Sequence, residues 1–262
     1  MARLPLQNLV RTLCRVVDRL PGENSDGELL ARFALQRDEQ AFELLVWRHG
    51  SMVLNVCRRI LRHEQDAEDA FQAAFLALAL EASRIVRRDQ IAGWLYRVAF
   101  RIALKIRTRR EREAARLELR RELQLPADPI ADGDVSGVID EEIARLPDRF
   151  RLPFLLCCLE GRSNSEAAFE LGCPKGTIDS RLATAKQKLR DRLVRRGITL
   201  GAATVAIQAM AGAEASAAIA NPVVRTTVAA AMALISGSEM TGPLASLARG
   251  VVHTMLLEKL RR

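Results

Sequence analysis

The chain has 262 residues, 49% of them hydrophobic but only 4% aromatic, so its core must come largely from Ala, Leu, Val and Ile, a supply that suits helices more than sheets. A net charge of +8 and a pI near 9.8 point to a polyanionic partner, either nucleic acid or an acidic membrane surface. Five cysteines form no CxxC pair and no zinc-ligand spacing, and no phosphate loop, GxSxG elbow, HExxH or dinucleotide fingerprint occurs, so no enzyme, cofactor or metal is expected.

Residues 1–24 read as a short amphipathic arm closed by Pro21-Gly22, charged throughout and without the apolar centre of a signal peptide. With an odd cysteine count, this predicts reduced thiols in a cytoplasm. From 25 to 121 the pattern is helix after helix, with no Pro and three Gly. Within it, Phe71, Phe75 and Leu78 share one face with Ala67, Ala70 and Ala74, and Asp66, Glu68, Asp69 and Gln72 project elsewhere. His63 reads as a surface residue. Between Arg97 and Arg121 ten basic residues stand against three acidic ones. Trp94, Leu95, Val98, Ala99, Ile102 and Ile106 form the buried stripe of the same helix, and Tyr96 stays undecided between core and stacking platform.

Residues 122–138 hold two Pro, two Gly and three Asp, the composition of a flexible linker. A second helical unit is predicted from 139 to 197. In it Ser163 and Glu166 offer a capping box, Gly172 stands where a left-handed residue ends a helix, and Pro174 suits the start of the next. Ile178, Leu182, Ala185, Leu189 and Leu193 then recur as one buried stripe, leaving Lys175, Thr177, Arg181, Thr184 and Lys188 on other faces. Two helices across a tight glycine turn, the second rich in Lys and Arg, describe a helix-turn-helix whose second helix fits a major groove. The bland alternative is a helical hairpin with a solvated charged face. Beyond 197 the chain turns Ala-rich, with apolar segments 200–212 and 223–236 and a basic helix over 244–262. No long strand alternation or bilayer-spanning run appears, so the fold class is all-α.

The series LPDRFRLPFLL, LEGRS and LGCPKGTIDSRLATAKQKLR resembles the promoter-binding C-terminal domain of a bacterial RNA polymerase sigma factor, most strongly of the extracytoplasmic-function (ECF) type. AFELLVWRHGSMVLNVCRRILRHEQDAEDAFQAAFLALA is similar to the family's polymerase-binding region, and WLYRVAFRIALKIRTRRERE to its melted-promoter segment. The likeness covers roughly 25–121 and 139–197. It implies promoter-specific initiation with core RNA polymerase and promoter DNA as partners. Asp66, Glu68, Asp69 and Gln72 would then dock on a basic coiled coil of the polymerase. Arg97, Arg101, Lys105, Arg107, Arg109 and Arg110 would follow the melted strand and backbone, with a base captured near residues 83–90. Lys175, Thr177, Asp179, Ser180, Arg181, Thr184 and Lys188 would read the upstream element. Two positions depart from the family pattern. Asp179 replaces a basic residue and could accept from a cytosine amino group; Thr184 stands where Arg is common. The extension 198–262 is left between an internal inhibitor, a docking surface, a loosely packed appendage and a link to a membrane segment, and a separate anti-sigma protein is a further open partner. A free-standing helix-turn-helix regulator and a basic membrane adaptor are the competing classes.

Overall fold

The computed structural model describes residues 25–85, 91–121, 135–213, 219–236 and 243–260, and every regular element among them is helical. The predicted N-terminal arm and most of the base-capturing loop lie outside the described residues.

Four helices form the first unit: α1 (Asp26–Gln36), α2 (Glu39–Leu61), α3 (Glu64–Glu81) and α4 (Ile91–Arg121). Their boundaries are locally encoded. Ser25 accepts from the Glu28 N–H while Glu28 reaches back to the Ser25 N–H, a reciprocal box at the start of α1. Asp38 caps α2 through the Ala41 N–H. Arg37 and Arg62, both left-handed, end α1 and α2. Phe33 stacks on Phe42, and Phe42 meets Phe75 edge to face, so the few aromatics of the chain concentrate where α1, α2 and α3 converge. Tyr96 is fully buried and belongs to this core, which settles the residue that spacing left open.

The second unit holds α5 (Val135–Ala144), α6 (Asp148–Phe154), α7 (Asn164–Glu170) and α8 (Lys175–Arg195). Residues 135–138, assigned to the linker by their glycine and polar content, are the first turn of α5. That turn carries the helix into the contacts of Ile139 and Ile143, both buried. Pro153 lacks the N–H that an α-helix needs, and the chain beyond it widens into one π turn, Leu155–Leu159, closed by the Glu160 N–H on the Leu155 carbonyl. Arg151, almost fully buried, donates to the Ala144 and Leu146 carbonyls and closes the end of α5.

Three further helices make up the extension: α9 (Leu200–Ala213), α10 (Asn221–Ile235) and α11 (Pro243–Leu260). They do not pack as one body. α9 lies on α5, α8 and the π turn, whereas α10 lies on α2 and α3, and α11 on α3 and α4. The extension therefore leaves the second unit and returns to the first.

Buried charges join the two units directly. Asp140 of α5, with no exposed surface, accepts two hydrogen bonds from Arg59 at 2.8 and 2.9 Å and one from the Tyr96 hydroxyl at 2.8 Å. His49 of α2 places Nδ1 2.7 Å from Glu160 and Nε2 2.8 Å from Asp26, while Arg48 donates to Asp26 and Arg162 pairs with Glu160 and Glu170. Burial works against a charge on His49, but Asp26 and Glu160 outweigh it and lift its pKa to about 10. Burial likewise opposes the Asp26 charge and is overcome by His49, Arg48 and Arg162, so its carboxyl stays well below the usual range.

Two outcomes follow from these pairs. Asp140→Ala removes the buried carboxylate that Arg59 and the Tyr96 hydroxyl share and should lower the unfolding free energy by about 3 kcal/mol, read as a shift in urea midpoint. The raised His49 value makes its contribution complete below the ordinary value of 6.5 and lost as pH climbs through about 10. Urea midpoints should therefore fall between pH 7 and pH 10, and His49→Gln should flatten that decline.

Candidate nucleic-acid and polymerase interface

The helix-turn-helix is built by its own sequence. The Ser163 hydroxyl accepts from the Glu166 N–H at 3.2 Å while the Glu166 carboxylate accepts from the Ser163 N–H at 2.7 Å, starting α7. Gly172 adopts φ +60°, a left-handed turn that a Cβ would strain, and Pro174 leads into α8 as its cap residue rather than its first turn. Ile178, Ala185, Leu189 and Leu193 are fully buried and Leu182 half-buried, so the predicted stripe is the core face of α8.

The α-helical period places Thr177, Arg181, Thr184 and Lys188 on one face away from that stripe, with Ser180 at its edge. Lys188 lies over the Phe150 ring at 5.6 Å, and Thr184 bonds back to the Ser180 carbonyl. Arg181 is half-buried against Cys173 Sγ at 3.9 Å. Lys175 sits in the first turn and is exposed, outside that row. Asp179 lies on the opposite flank, where its carboxylate accepts from Asn164 Nδ2 at 2.5 Å. Its partner is thus the first residue of α7, a contact inside the motif.

On α4, Arg97, Arg101, Lys105 and Arg109 recur every four residues and form a continuous strip. Arg97 lies 3.5 Å from Asp148, and Arg109 pairs with Glu113 at 2.8 Å. A Cβ on Gly250 of α11 would stand 3.0 Å from Lys105 Nζ. Arg107 faces another side, 3.6 Å from Glu111. Arg110 leaves the expected DNA track altogether and donates to Asp66 at 2.6 Å.

That contact also corrects the reading of Asp66 as an exposed docking carboxylate. Only 8% of it is exposed, with Arg110 on one oxygen and the other buried. Glu68, Asp69 and Gln72 are half-buried, and Gln72 Nε2 donates to Thr226 Oγ1 of α10 at 3.4 Å. The joins at His49–Glu160, Tyr96–Asp140 and Arg59–Asp140, 111, 44 and 81 residues apart, had no signal in spacing. Among the described residues no group of three His, Cys, Asp or Glu is placed to hold a metal, and no helix is long and apolar enough to cross a membrane. The thiols of Cys57 and Cys158 are buried, and burial pushes Cys57 far above the ordinary thiol value, so these two are packing residues.

Comparison with known proteins fits this two-unit arrangement. Residues 45–113 match the family model of sigma-70 region 2 and residues 136–189 that of sigma-70, region 4. The chain is 30% identical over 168 residues to the ECF RNA polymerase sigma factor SigM of Mycobacterium tuberculosis, covering 64% of this chain and 84% of that protein. It is 26% identical over 169 residues to the ECF RNA polymerase sigma factor SigW of Bacillus subtilis (60% and 90%), and 27% identical over 191 residues to the ECF RNA polymerase sigma-E factor of Escherichia coli (66% and 99%). This chain belongs to the ECF sigma factor family. It is a promoter-specific initiation factor that works with core RNA polymerase and promoter DNA, and the free-standing regulator is set aside because both regions match in order.

Proposed function

We propose that the chain divides its work between residues 25–121 and 139–197, as a non-catalytic specificity subunit acting in the cytoplasm. The face of α8 carrying Thr177, Ser180, Arg181, Thr184 and Lys188 enters the major groove of the upstream promoter element, where Arg and Lys bond guanine edges and hydroxyls bond bases or phosphates. Lys175, in the first turn of α8, contacts the flanking phosphates. The strip Arg97, Arg101, Lys105 and Arg109 follows the backbone near the melted strand, releasing counterions. The face of α3 around Asp69 and Gln72 docks on a basic surface of the polymerase, its carboxylates orienting the approach.

The observation that carries this reading is the register of α8. Its apolar residues are consumed on one side by the core, and hydroxyl and basic side chains share another side over three successive turns. Asp179 contributes by fixing α7 to α8 through Asn164, which sets the pitch of the reading helix.

Transcription from a genomic fragment library with core polymerase and this chain should give discrete new starts, and their absence would overturn the reading. Arg181→Ala should reduce discrimination at one upstream position by about 1–3 kcal/mol, measured as promoter preference against single-base variants. An unchanged preference removes Arg181 from base readout. Asp69→Lys should weaken polymerase binding several-fold at unchanged helical circular dichroism. Asp66 is the poorer test, because its reversal also confronts Arg110.

A further inference from the structure

We propose that the extension is an intramolecular inhibitor, in which α10 and α11 occupy the face of α3 that docks on core RNA polymerase while α9 tethers them to the DNA-reading unit. The inference rests on the docking reading of α3 given above.

The helical period divides α3 into two faces. Phe71, Phe75 and Leu78 point to the aromatic cluster with Phe42. Asp66, Asp69, Ala73, Leu76, Ala77 and Leu80 fall on the opposite side. An ordinary surface helix would leave that second side in water. Here every residue from Ala73 to Ala79 is buried, all the way round the helix. Phe42 of α2 meets the first side, α4, α10 and α11 are the other helices packed on α3, and α10 reaches its flank at Gln72.

The carboxylates proposed to meet the polymerase thus share one face with the apolar residues that the extension covers. Gln72, from the same docking set, already has its amide on Thr226 of α10. At the far end, α11 brings Gly250 against Lys105 of the α4 strip. One strap therefore touches both surfaces that initiation needs.

The inward residues of α10 and α11 include no aromatic anchor. They are Val224, Thr227, Val228, Ala231 and Leu234 on one and Ala245, Ala248, Val251 and Val252 on the other, each aliphatic side chain contributing at most about 3 kcal/mol. A polymerase surface rich in Arg and Lys would add attraction to Asp69 on that same face. Competition between the two occupants is then a population balance. If about nine chains in ten hold the strap closed, the apparent polymerase affinity falls about tenfold.

The test uses three forms of the full chain binding to core RNA polymerase. Val224→Asp with Ala248→Glu places carboxylates in the strap interface and alters no residue of α3. Glu39→Cys with Arg225→Cys, two exposed residues lining one cleft between α2 and α10, allows a short bismaleimide to fasten the strap shut, with each single cysteine variant as control. The released form should bind about tenfold or more tightly than the natural chain, and the fastened form should lose binding relative to its unreacted state. Fastening needs no unfolding of the strap, so it decides the matter even where the released form proves unstable. Equal binding before and after fastening overturns the inference; if Asp69→Lys still weakens that binding several-fold, the docking reading stands. Binding indifferent to both fastening and Asp69→Lys overturns the two together.

Discussion

A helix that is apolar on every side must be covered on every side, and α3 imposes that condition on the whole molecule. Its run of Ala, Leu and Phe from Ala73 to Ala79 presents no solvent face. The aromatic cluster of α1 and α2 lies on one side. In this chain α4, α10 and α11 complete the cover, and in the proposed docking the polymerase takes the place of the last two. The fold, the proposed regulation and the proposed docking thus converge on one helix because hydrophobic burial does not distinguish a segment of the same chain from another protein.

The second constraint is ionic. Asp140 and His49 are buried without exposed surface; Asp140 reaches Arg59 and Tyr96 of the first unit, and His49 bridges Asp26 of its own unit to Glu160 of the second. Buried pairs add little net stability against an apolar alternative, yet breaking one is costly. They therefore specify how the units sit against each other rather than merely holding them together. The strap follows the same division, with α9 on the second unit and α10 and α11 on the first. The proposed reading face of α8, built from Thr177, Arg181, Thr184 and Lys188, is left on a side of its helix that the core stripe does not use.

Much of this was legible in the chain itself. The Ser163–Glu166 box, the left-handed Gly172 and the stripe from Ile178 to Leu193 appear in the structure as spacing predicts, since caps and periodicity act within a turn or two. The Phe71–Phe75–Leu78 face was equally visible. Asp66 was not: its pattern matched a free carboxylate, and only Arg110, 44 residues away, shows it to be tied down. Tyr96 was undecidable until Asp140 stood beside its hydroxyl. Nothing in spacing discloses that Asp179 meets the amide of Asn164, 15 residues earlier.

The sequence by itself determined the helical class, the capped turn from Ser163 to Pro174, the order of the two units and the family they belong to, because these rest on contacts between residues a few positions apart and on motifs read in series. Tertiary structure alone decided which charges are spent inside the protein, how the units lock, and where the extension lies. Those outcomes depend on side chains meeting across tens to more than a hundred residues, and an Ala-rich helix carries no local mark of the surface it will cover.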